Sequence, residues 1–289
     1  RVSNKYRQIT PKRPYWVGTF GNKQMVCSWK WTNTITMQKK RILLKIGSNT
    51  LTKETDNISR GKIEDIANQI AHLQDTYEFI IVSSGAIAVA KQFVKLESKG
   101  KEITVKQALA SIGQPHLIRI YQEIFREYGL LTSQCLLSYS DFEREQSKTN
   151  IVNTINVLVS NNYIPIINEN DTVATDEIKF GDNDKLGALT ASLLEVDLFI
   201  IATNTNGIYT KESIESNAPK TIEVVENFDA LLEQVVSSRS KHGSGGMQSK
   251  IEAAAVTKKA NIETWIVNGL EDNFMVNAMN NKVPFTKIK

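Results

Sequence analysis

The stretch RILLKIGSNTLT, residues 41–52, decides the fold class of this chain. Its first six residues form a short apolar run rich in branched side chains that ends at Gly47, which is typical of a buried β-strand entering a turn. A second run of this kind, EFIIVSS at 78–84, follows an amphipathic helical pattern at 61–75. The apolar face of that helix contains Ile63, Ile66, Ile70 and Leu73. Two buried strands with a helix between them predict a parallel β-α-β unit.

The same alternation continues towards the end of the chain. Further strands are predicted at 130–138, 163–168, 197–203 and 263–269, of which the last is the final strand. Helices are predicted at 104–128 with an interruption around Gly113-Gln114-Pro115, at 148–162, from Asp184 onwards, at 227–238 and at 247–260. This order predicts an α/β fold, a three-layer αβα sandwich with a mostly parallel central sheet, in one domain at residues 39–289.

Residues 1–38 differ from the rest in composition. Residues 1–36 carry seven basic residues, no acidic residue and three of the four tryptophans, with no sustained periodicity. We expect an N-terminal extension outside the native domain; an arm that packs on a partner subunit and a nucleic-acid-binding tail are the alternatives. Without those seven charges the formal net charge of +4 falls to about −3, so the domain itself gives no indication of a nucleic-acid surface.

The remaining composition favours a cytoplasmic protein. No apolar run reaches the roughly 18 residues that a membrane span needs. Cys27 and Cys135 form neither a disulfide framework nor a CxxC metal motif, which predicts free thiols in a reducing compartment.

Polar residues follow four of the predicted strands, at the edge where α/β sheets bind ligands. The clusters are Lys45-Ile46-Gly47-Ser48, Ser83-Ser84-Gly85, Asn168-Glu169-Asn170-Asp171 and Thr203-Asn204. Each cluster alone is a weak signal, but their common position predicts one site at this edge of the sheet.

A glycine-rich turn, GSGGMQSK at 243–250, adds a fifth cluster. It matches neither the Walker A loop nor the dinucleotide fingerprint. Glycines before a helix leave backbone N–H groups free to approach an anion, and Lys250 would follow about one turn into the helix. A phosphate site and a plain flexible turn both remain open from this pattern. Lys45 has the same two interpretations, a solvated charge or a second phosphate contact.

The loop NENDTVATDEIKFGDND, residues 168–184, is the most unusual stretch. It does not have the spacing of a calcium loop, and a solvated acidic loop is one interpretation. Its side chains at Asn168, Asp171 and Asn183 could instead bind the ammonium and carboxylate of an amino acid. Asp184 either caps the following helix or orients the two lysines.

Together these motifs resemble a known family. KIGSNTLT, VSSGAIA, SIGQPHLI, INENDTVATDEIKFGDND, NGIYT and GSGGMQSK are similar, in sequence order, to the motifs of the glutamate 5-kinases, a branch of the amino acid kinase superfamily. The resemblance runs from about residue 39 to the end. It implies phosphorylation of the γ-carboxylate of L-glutamate by ATP, which gives L-glutamyl 5-phosphate in the first step of proline biosynthesis. Mg²⁺ would be carried by ATP, with no metal ligand from the protein.

The resemblance also implies a role for each matching residue. Lys45 and Lys250 would contact the phosphates, and Asp184 would organise both lysines as the third catalytic residue. Glutamate would be held by Ser84, Asp171 and Asn183, with Asn168 nearby. ATP would be bound by Lys45, Gly47, Thr203, Asn204, Ser244, Gly245, Gly246, Met247, Gln248, Ser249 and Lys250. The family further implies a cytoplasmic homo-oligomer, either a dimer or a tetramer, that proline inhibits.

Two departures from the family pattern stand out. Many members have an aspartate where this chain has Asn204, and many bacterial members carry a C-terminal PUA domain for which this sequence leaves no room after Lys289. We therefore expect the short, kinase-only form. The alternatives are a kinase of the same superfamily that acts on acetylglutamate, aspartate, carbamate or UMP, and a nucleotide-binding regulator without catalysis.

Overall fold

The computed structural model describes residues 39–55, 57–96, 102–173, 183–210, 213, 216, 218–231 and 245–289. The chain divides into a unit at Arg1–Lys39 and a unit at Lys40–Lys289, and every element named below belongs to the second. The N-terminal extension at 1–38 lies outside the described residues and stays a prediction.

The second unit is an αβα sandwich, as the sequence predicts. Its strands are β1 (Lys40–Ile46), β2 (Tyr77–Ser83), β3 (Leu131–Leu137), β4 (Tyr163–Glu169), β5 (Leu198–Thr203), β6 (Glu263–Asn268) and β7 (Thr286–Ile288). Its helices are α1 (Ser48–Thr52), α2 (Arg60–Leu73), α3 (Ala86–Lys91), α4 (Glu102–Glu127), α5 (Glu145–Ser160), α6 (Asp184–Leu193), α7 (Gly245–Lys259) and α8 (Phe274–Met279). In this part of the chain no helix is both long and apolar enough to span a membrane.

The sheet has seven strands in the order β3-β4-β2-β1-β5-β6-β7, and only β7 runs antiparallel to its neighbour. From β1 the chain moves to β2 on one side, and from β5 it moves to β6 on the other. The carboxyl ends of β1 and β5 therefore form a topological switch point, where open α/β sheets bind their ligands. β1 pairs with β5 so that Lys45 lies opposite Ile201.

Alternation along β1 places its side chains in two cores, one on each face of the sheet. Ile42, Leu44 and Ile46 pack with α2, α4 and α8, whereas Leu43 packs with α5, α6 and α7. Lys45 is two residues beyond Leu43 and therefore projects to the face that α6 and α7 cover. This parity explains why a lysine is found in the buried part of β1, residues 42–46, which is otherwise apolar.

Two sequence-based predictions of secondary structure are wrong. Helix α4 is continuous across Pro115, although proline removes a helical hydrogen bond, because Pro115 is exposed and buried Gly113 packs closely on α3. The strand at 263–269 is not the last, since β7 follows and pairs with β6. Only three residues long, β7 is too short to show a periodic pattern. The predicted helix at 227–238 is described only as far as residue 231.

Gly113 provides a direct test of this packing. A Cβ atom added there would lie 1.8 Å from the backbone oxygen of Ala86, and a backbone atom cannot rotate away. Gly113→Ala is therefore expected to force α3 and α4 apart and to lower the free energy of unfolding by about 1–3 kcal/mol or more. Urea denaturation measures the change. Ser111→Ala, at an exposed position of the same helix, should stay within about 0.5 kcal/mol of the wild type; equal stability of both variants would contradict the close contact.

Candidate active site

A buried cluster of three charged side chains lies at the switch point. Asp184 is fully buried, and its two carboxylate oxygens contact two different lysines. The Lys45 Nζ lies 2.5 Å from Asp184 Oδ1, and the Lys250 Nζ donates to Asp184 Oδ2 at 2.9 Å. The cluster carries two positive charges and one negative charge. A net charge of +1 in a buried position is suited to an anion at the adjoining edge of the sheet.

Three elements bring these side chains together. Lys45 reaches across from β1, and Asp184 is the first residue of α6, where the helix dipole favours a carboxylate. Helix α6 approaches β1 closely because Gly187 has no side chain: an added Cβ would lie 3.0 Å from the Phe199 ring and 3.6 Å from Lys45 Cβ. Lys250 comes from α7, which packs on the same face of the sheet.

The first turns of α7, which begins at Gly245 within the predicted glycine-rich turn, contribute further contacts. Lys250 Nζ donates to the Gly246 carbonyl at 2.9 Å, and Ser249 Oγ donates to Asp184 Oδ2 at 3.1 Å. Gly246 is exposed, with no atom within 4 Å of an added Cβ. Met247 and Gln248 are half-buried, and Gln248 donates to Glu252 within the helix. Of the predicted phosphate loop, Ser244 lies outside the described residues.

Asn168 and Asn183 form a second cluster, which is an amide network. Asn183 Nδ2 donates to Asn168 Oδ1 at 2.7 Å and lies 3.2 Å from the Ser83 carbonyl. Asn168 Nδ2 donates to Gln114 Oε1 at 2.8 Å, and its Oδ1 also accepts from the Glu169 N–H. Both predicted residues are buried. The network ties the ends of β2 and β4 to the start of α6 and to α4.

Ser84 follows β2 at the rim of this network. Its N–H donates to the Ile46 carbonyl at 3.0 Å, which holds the turn beside the end of β1. The preceding Ser83 lies 2.9 Å from the hydroxyl of Tyr121, which is fully buried in α4. Burial raises the pKa of the Tyr121 phenol far above its ordinary range, so Tyr121 keeps its proton. Its hydroxyl can therefore donate to Ser83 Oγ, and this hydrogen bond fixes the turn after β2 to α4.

Asp171 lies in the turn that follows β4. The turn is held by the Asn170 N–H, which donates to the Leu137 carbonyl at 2.8 Å. Asp171 is half-buried, and this desolvation raises the pKa of its carboxyl from 3.8 to about 6. A carboxylate that burial penalises is stabilised when a cation binds beside it.

The nucleotide residues predicted near β1 and β5 also lie at this edge. A Cβ added to Gly47 would lie 3.6 Å from Lys45 Nζ, so the backbone of this turn passes beside the lysine. Thr203 is buried at the end of β5, and its carbonyl accepts from the Gly269 N–H at 2.7 Å. Asn204 is exposed, and its Nδ2 donates to Glu54 Oε1 at 2.9 Å.

The structure thus joins Lys45, Asp184, Ser249 and Lys250 in one cluster and Asn168 and Asn183 in another. Sequence reasoning gave no role to four further residues. Ser83, Gln114 and Tyr121 support the amide network and the adjoining turn, and Glu54 contacts Asn204. Ser83 and Gln114 belong to the motifs VSSGAIA and SIGQPHLI. The motifs therefore placed both residues near the site but did not show which side chains they contact. No sequence signal pointed to Tyr121 or Glu54.

Comparison with known proteins identifies the family of this chain. The profile of the amino acid kinase family matches residues 40–268. The chain therefore belongs to the amino acid kinase family. Two solved structures share the fold: UMP kinase from Ureaplasma parvum (TM-score 0.60, 17% identity, 88% of this chain and 100% of that one) and Giardia lamblia carbamate kinase bound to AMP-PNP (TM-score 0.60, 14% identity, 86% and 98%).

Within the family, the similar curated proteins are glutamate 5-kinases, which confirms the resemblance drawn from the motifs. The enzyme of Thermoanaerobacter sp. (strain X514) is 43% identical over 237 residues, and that of Alkaliphilus metalliredigens (strain QYMF) is 38% identical over 241 residues. The matches cover 81% and 83% of this chain. They cover 64% of the Thermoanaerobacter protein and 91% of the Alkaliphilus protein, so the chain spans just under two thirds of the longer relative.

Proposed function

We propose that this protein is a glutamate 5-kinase that transfers the γ-phosphoryl group of ATP to the γ-carboxylate of L-glutamate. The products are L-glutamyl 5-phosphate and ADP, and the reaction begins proline biosynthesis. The observation that carries the proposal is the buried Lys45–Asp184–Lys250 cluster at the switch point of the sheet. The glutamate 5-kinases that match most of the chain support the choice of substrate.

The reaction needs charge neutralisation and positioning more than proton transfer. A γ-carboxylate oxygen of glutamate forms a bond to the γ-phosphorus while the bond from that phosphorus to the β,γ-bridging oxygen breaks, and ADP leaves with the electron pair. No general base is needed because the carboxylate is already ionised near pH 7. When bound with ATP, Mg²⁺ would lower the negative charge of the phosphates.

In this scheme both lysines contact the phosphates. Both ammonium groups are held by Asp184, so they are oriented before the substrates arrive. Fixed charges in a buried site stabilise the transition state without reorganisation during the reaction. The Gly47 turn, Ser244 and the first turn of α7 would supply backbone N–H groups to the phosphates, with Thr203 and Asn204 towards the rest of the nucleotide.

The glutamate subsite would lie on the other side of the cluster. Asp171 would pair with the substrate ammonium group and the Ser84 side chain would donate to a carboxylate. Both N–H groups of Asn183 Nδ2 already donate within the protein, so Asn183 would accept from the substrate ammonium group through Oδ1. Asn168 Oδ1 already accepts two hydrogen bonds, so in this proposal Asn168 positions Asn183 rather than holding the substrate strongly itself.

The pKa of Asp171 leads to a paired prediction about stability and substrate binding. The pKa of Asp171 in the folded protein, about 6, exceeds its ordinary value of 3.8. Ionisation of Asp171 therefore lowers the free energy of unfolding, and this decrease develops as the pH rises from about 4 to about 6. At pH 8, unfolding of Asp171→Asn should therefore need about 1–2 kcal/mol more free energy than unfolding of the wild type, since partial exposure of the side chain reduces the effect. It should also raise the KM for glutamate at least about tenfold with little change in the KM for ATP.

Denaturation at pH 4 and pH 8 and steady-state kinetics check both parts. The difference in stability between variant and wild type should shrink at pH 4. Asp75→Asn, in the exposed turn before β2, is the control and should change neither quantity. An effect confined to ATP would argue against the assignment of Asp171 to the amino acid.

A substrate panel separates the proposed reaction from its alternatives. With MgATP, release of ADP is expected with L-glutamate and not with acetylglutamate, aspartate, carbamate or UMP. Turnover of only one of the other acceptors would contradict the proposal. Nucleotide binding without turnover of any acceptor would favour the non-catalytic regulator.

Three further features belong to this proposal. Proline would compete at or beside the glutamate subsite, since it presents the same ammonium and α-carboxylate groups. The protein would form a dimer or a tetramer. It would act in the cytoplasm, where its substrates are available and where a free thiol such as Cys135 stays reduced.

A further inference from the structure

A side-chain contact joins the loop after α1 to the end of β5. The Asn204 Nδ2 donates to Glu54 Oε1 at 2.9 Å across 150 residues of sequence. At its other end, Asn204 Oδ1 lies 3.4 Å from Thr203 Oγ1, which donates to it. The contact therefore fixes which end of the Asn204 amide faces Glu54 and which end faces Thr203.

The backbone around Glu54 is held in an unfavourable conformation. Lys53 and Glu54 have φ angles of 49° and 60°, in the left-handed region that costs residues with a side chain roughly 1 kcal/mol each. Two hydrogen bonds close this turn, from the Lys53 N–H to the Thr50 carbonyl and from the Glu54 N–H to the Asn49 carbonyl. The left-handed backbone at Lys53 and Glu54 directs the Glu54 side chain towards Asn204, to which it is hydrogen-bonded.

Helix α1, which carries this turn, is itself fixed against β5. Thr50 Oγ1 donates to the Ala202 carbonyl at 3.4 Å. Gly269 makes room for Thr50, since a Cβ at Gly269 would lie 2.7 Å from Thr50 Cγ2. These contacts hold the segment that starts at Gly47 against the end of β5. At the exposed surface, the hydrogen bond between Glu54 and Asn204 joins the same two segments.

The neutral amide at 204 complements the charge of Glu54, whereas a second carboxylate there would not. An aspartate at 204 would place two carboxylates at about 3 Å, whereas the amide donates to the Glu54 carboxylate. Two like charges about 4 Å apart in water repel by roughly 1 kcal/mol, or about fivefold in an equilibrium constant. The neutral side chain at 204 is therefore matched to the charged side chain at 54.

We propose that Glu54 is a positioning residue for the nucleotide, acting by holding the Asn204 amide with its oxygen towards Thr203. This inference rests on the proposed nucleotide site at Thr203-Asn204. Oriented in this way, Asn204 offers a carbonyl oxygen to a hydroxyl or amino donor of the nucleotide. The phosphates are left to the lysines and the glycine turns.

The test is a double-variant cycle read by binding of AMP-PNP with Mg²⁺ in calorimetry. Asn204→Asp should weaken binding about fivefold to tenfold, because the repelled side chains must be brought together again when the nucleotide binds. Glu54→Gln/Asn204→Asp has the same net charge as the wild type and restores a hydrogen bond of reversed polarity. It should recover affinity to within about threefold of the wild type. Glu54→Gln alone completes the cycle, and Glu127→Gln, at the exposed end of α4, is its control for loss of one negative charge.

Kinetics add a second readout, since the variants should change the KM for ATP and leave the KM for glutamate unchanged. Suppose that the wild type binds AMP-PNP and that Asn204→Asp and the double variant bind it with equal affinity, whether at the wild-type level or equally weakened. That result would overturn the role of Glu54 and leave the kinase proposal intact. A wild type that binds no nucleotide would overturn the proposed function, and the role of Glu54 with it.

Discussion

Lys250→Ala is expected to lower turnover by about a thousandfold or more while the protein remains folded. The Lys250 ammonium group is fixed 2.9 Å from Asp184 Oδ2, at the edge of the sheet where the phosphates are proposed to bind. Loss of one preorganised donor to a developing negative charge costs about 10²–10³ in rate, and loss of a cationic group at a transferred phosphoryl about 10³–10⁵.

Stability should change much less than turnover in this variant. Asp184 retains Lys45 at 2.5 Å, so no buried charge is left without a partner of opposite sign. Single-turnover kinetics and urea denaturation separate the two effects. Lys259→Ala, at an exposed position in the last turn of the same helix, should be close to the wild type in both. Near-normal turnover of Lys250→Ala would refute the proposed role.

Asp184→Asn is expected to have the largest effect on stability, with a loss of about 3–5 kcal/mol in the free energy of unfolding. Asp184 is the fully buried partner of two lysines. Its replacement by a neutral amide leaves two cations in a buried position without compensation. The variant should also lose turnover, since neither lysine keeps its orientation.

A double variant separates the electrostatic cost from other effects at this position. Asp184→Asn/Lys250→Met removes one of the two uncompensated charges and should be more stable than Asp184→Asn alone, because the two side chains are coupled. It should remain inactive. A stability loss that is the same in both variants would show that buried charge is not the cause. Chemical denaturation of both variants with the wild type is sufficient for the comparison.

The order of strands and helices could be predicted because each buried strand is a short branched apolar run. The strand β1 is the clearest case: its parity also puts Lys45 on the same face as α6 and α7. The continuity of α4 could not be predicted, because a local proline signal competes with a tertiary contact between Gly113 and Ala86. The strand β7 is too short to carry a pattern of its own.

At the site, sequence motifs identified the charged residues but not the geometry that joins them. The motifs led us to expect that Asp184 orients Lys45 and Lys250, which are 205 positions apart, but not that each of its carboxylate oxygens contacts a different lysine. Supporting residues such as Tyr121 and Glu54 are harder to recognise still, because each acts through a contact with a distant segment. Such contacts follow from the sheet order, which local periodicity does not determine.

The most direct test of the central claim is formation of γ-glutamyl hydroxamate from L-glutamate, MgATP and hydroxylamine, with and without proline. We expect hydroxamate that depends on both substrates, falls when proline is added and drops about a thousandfold or more with Lys250→Ala. A folded, ATP-binding protein that forms no hydroxamate from glutamate would contradict the assignment of this chain as a glutamate 5-kinase.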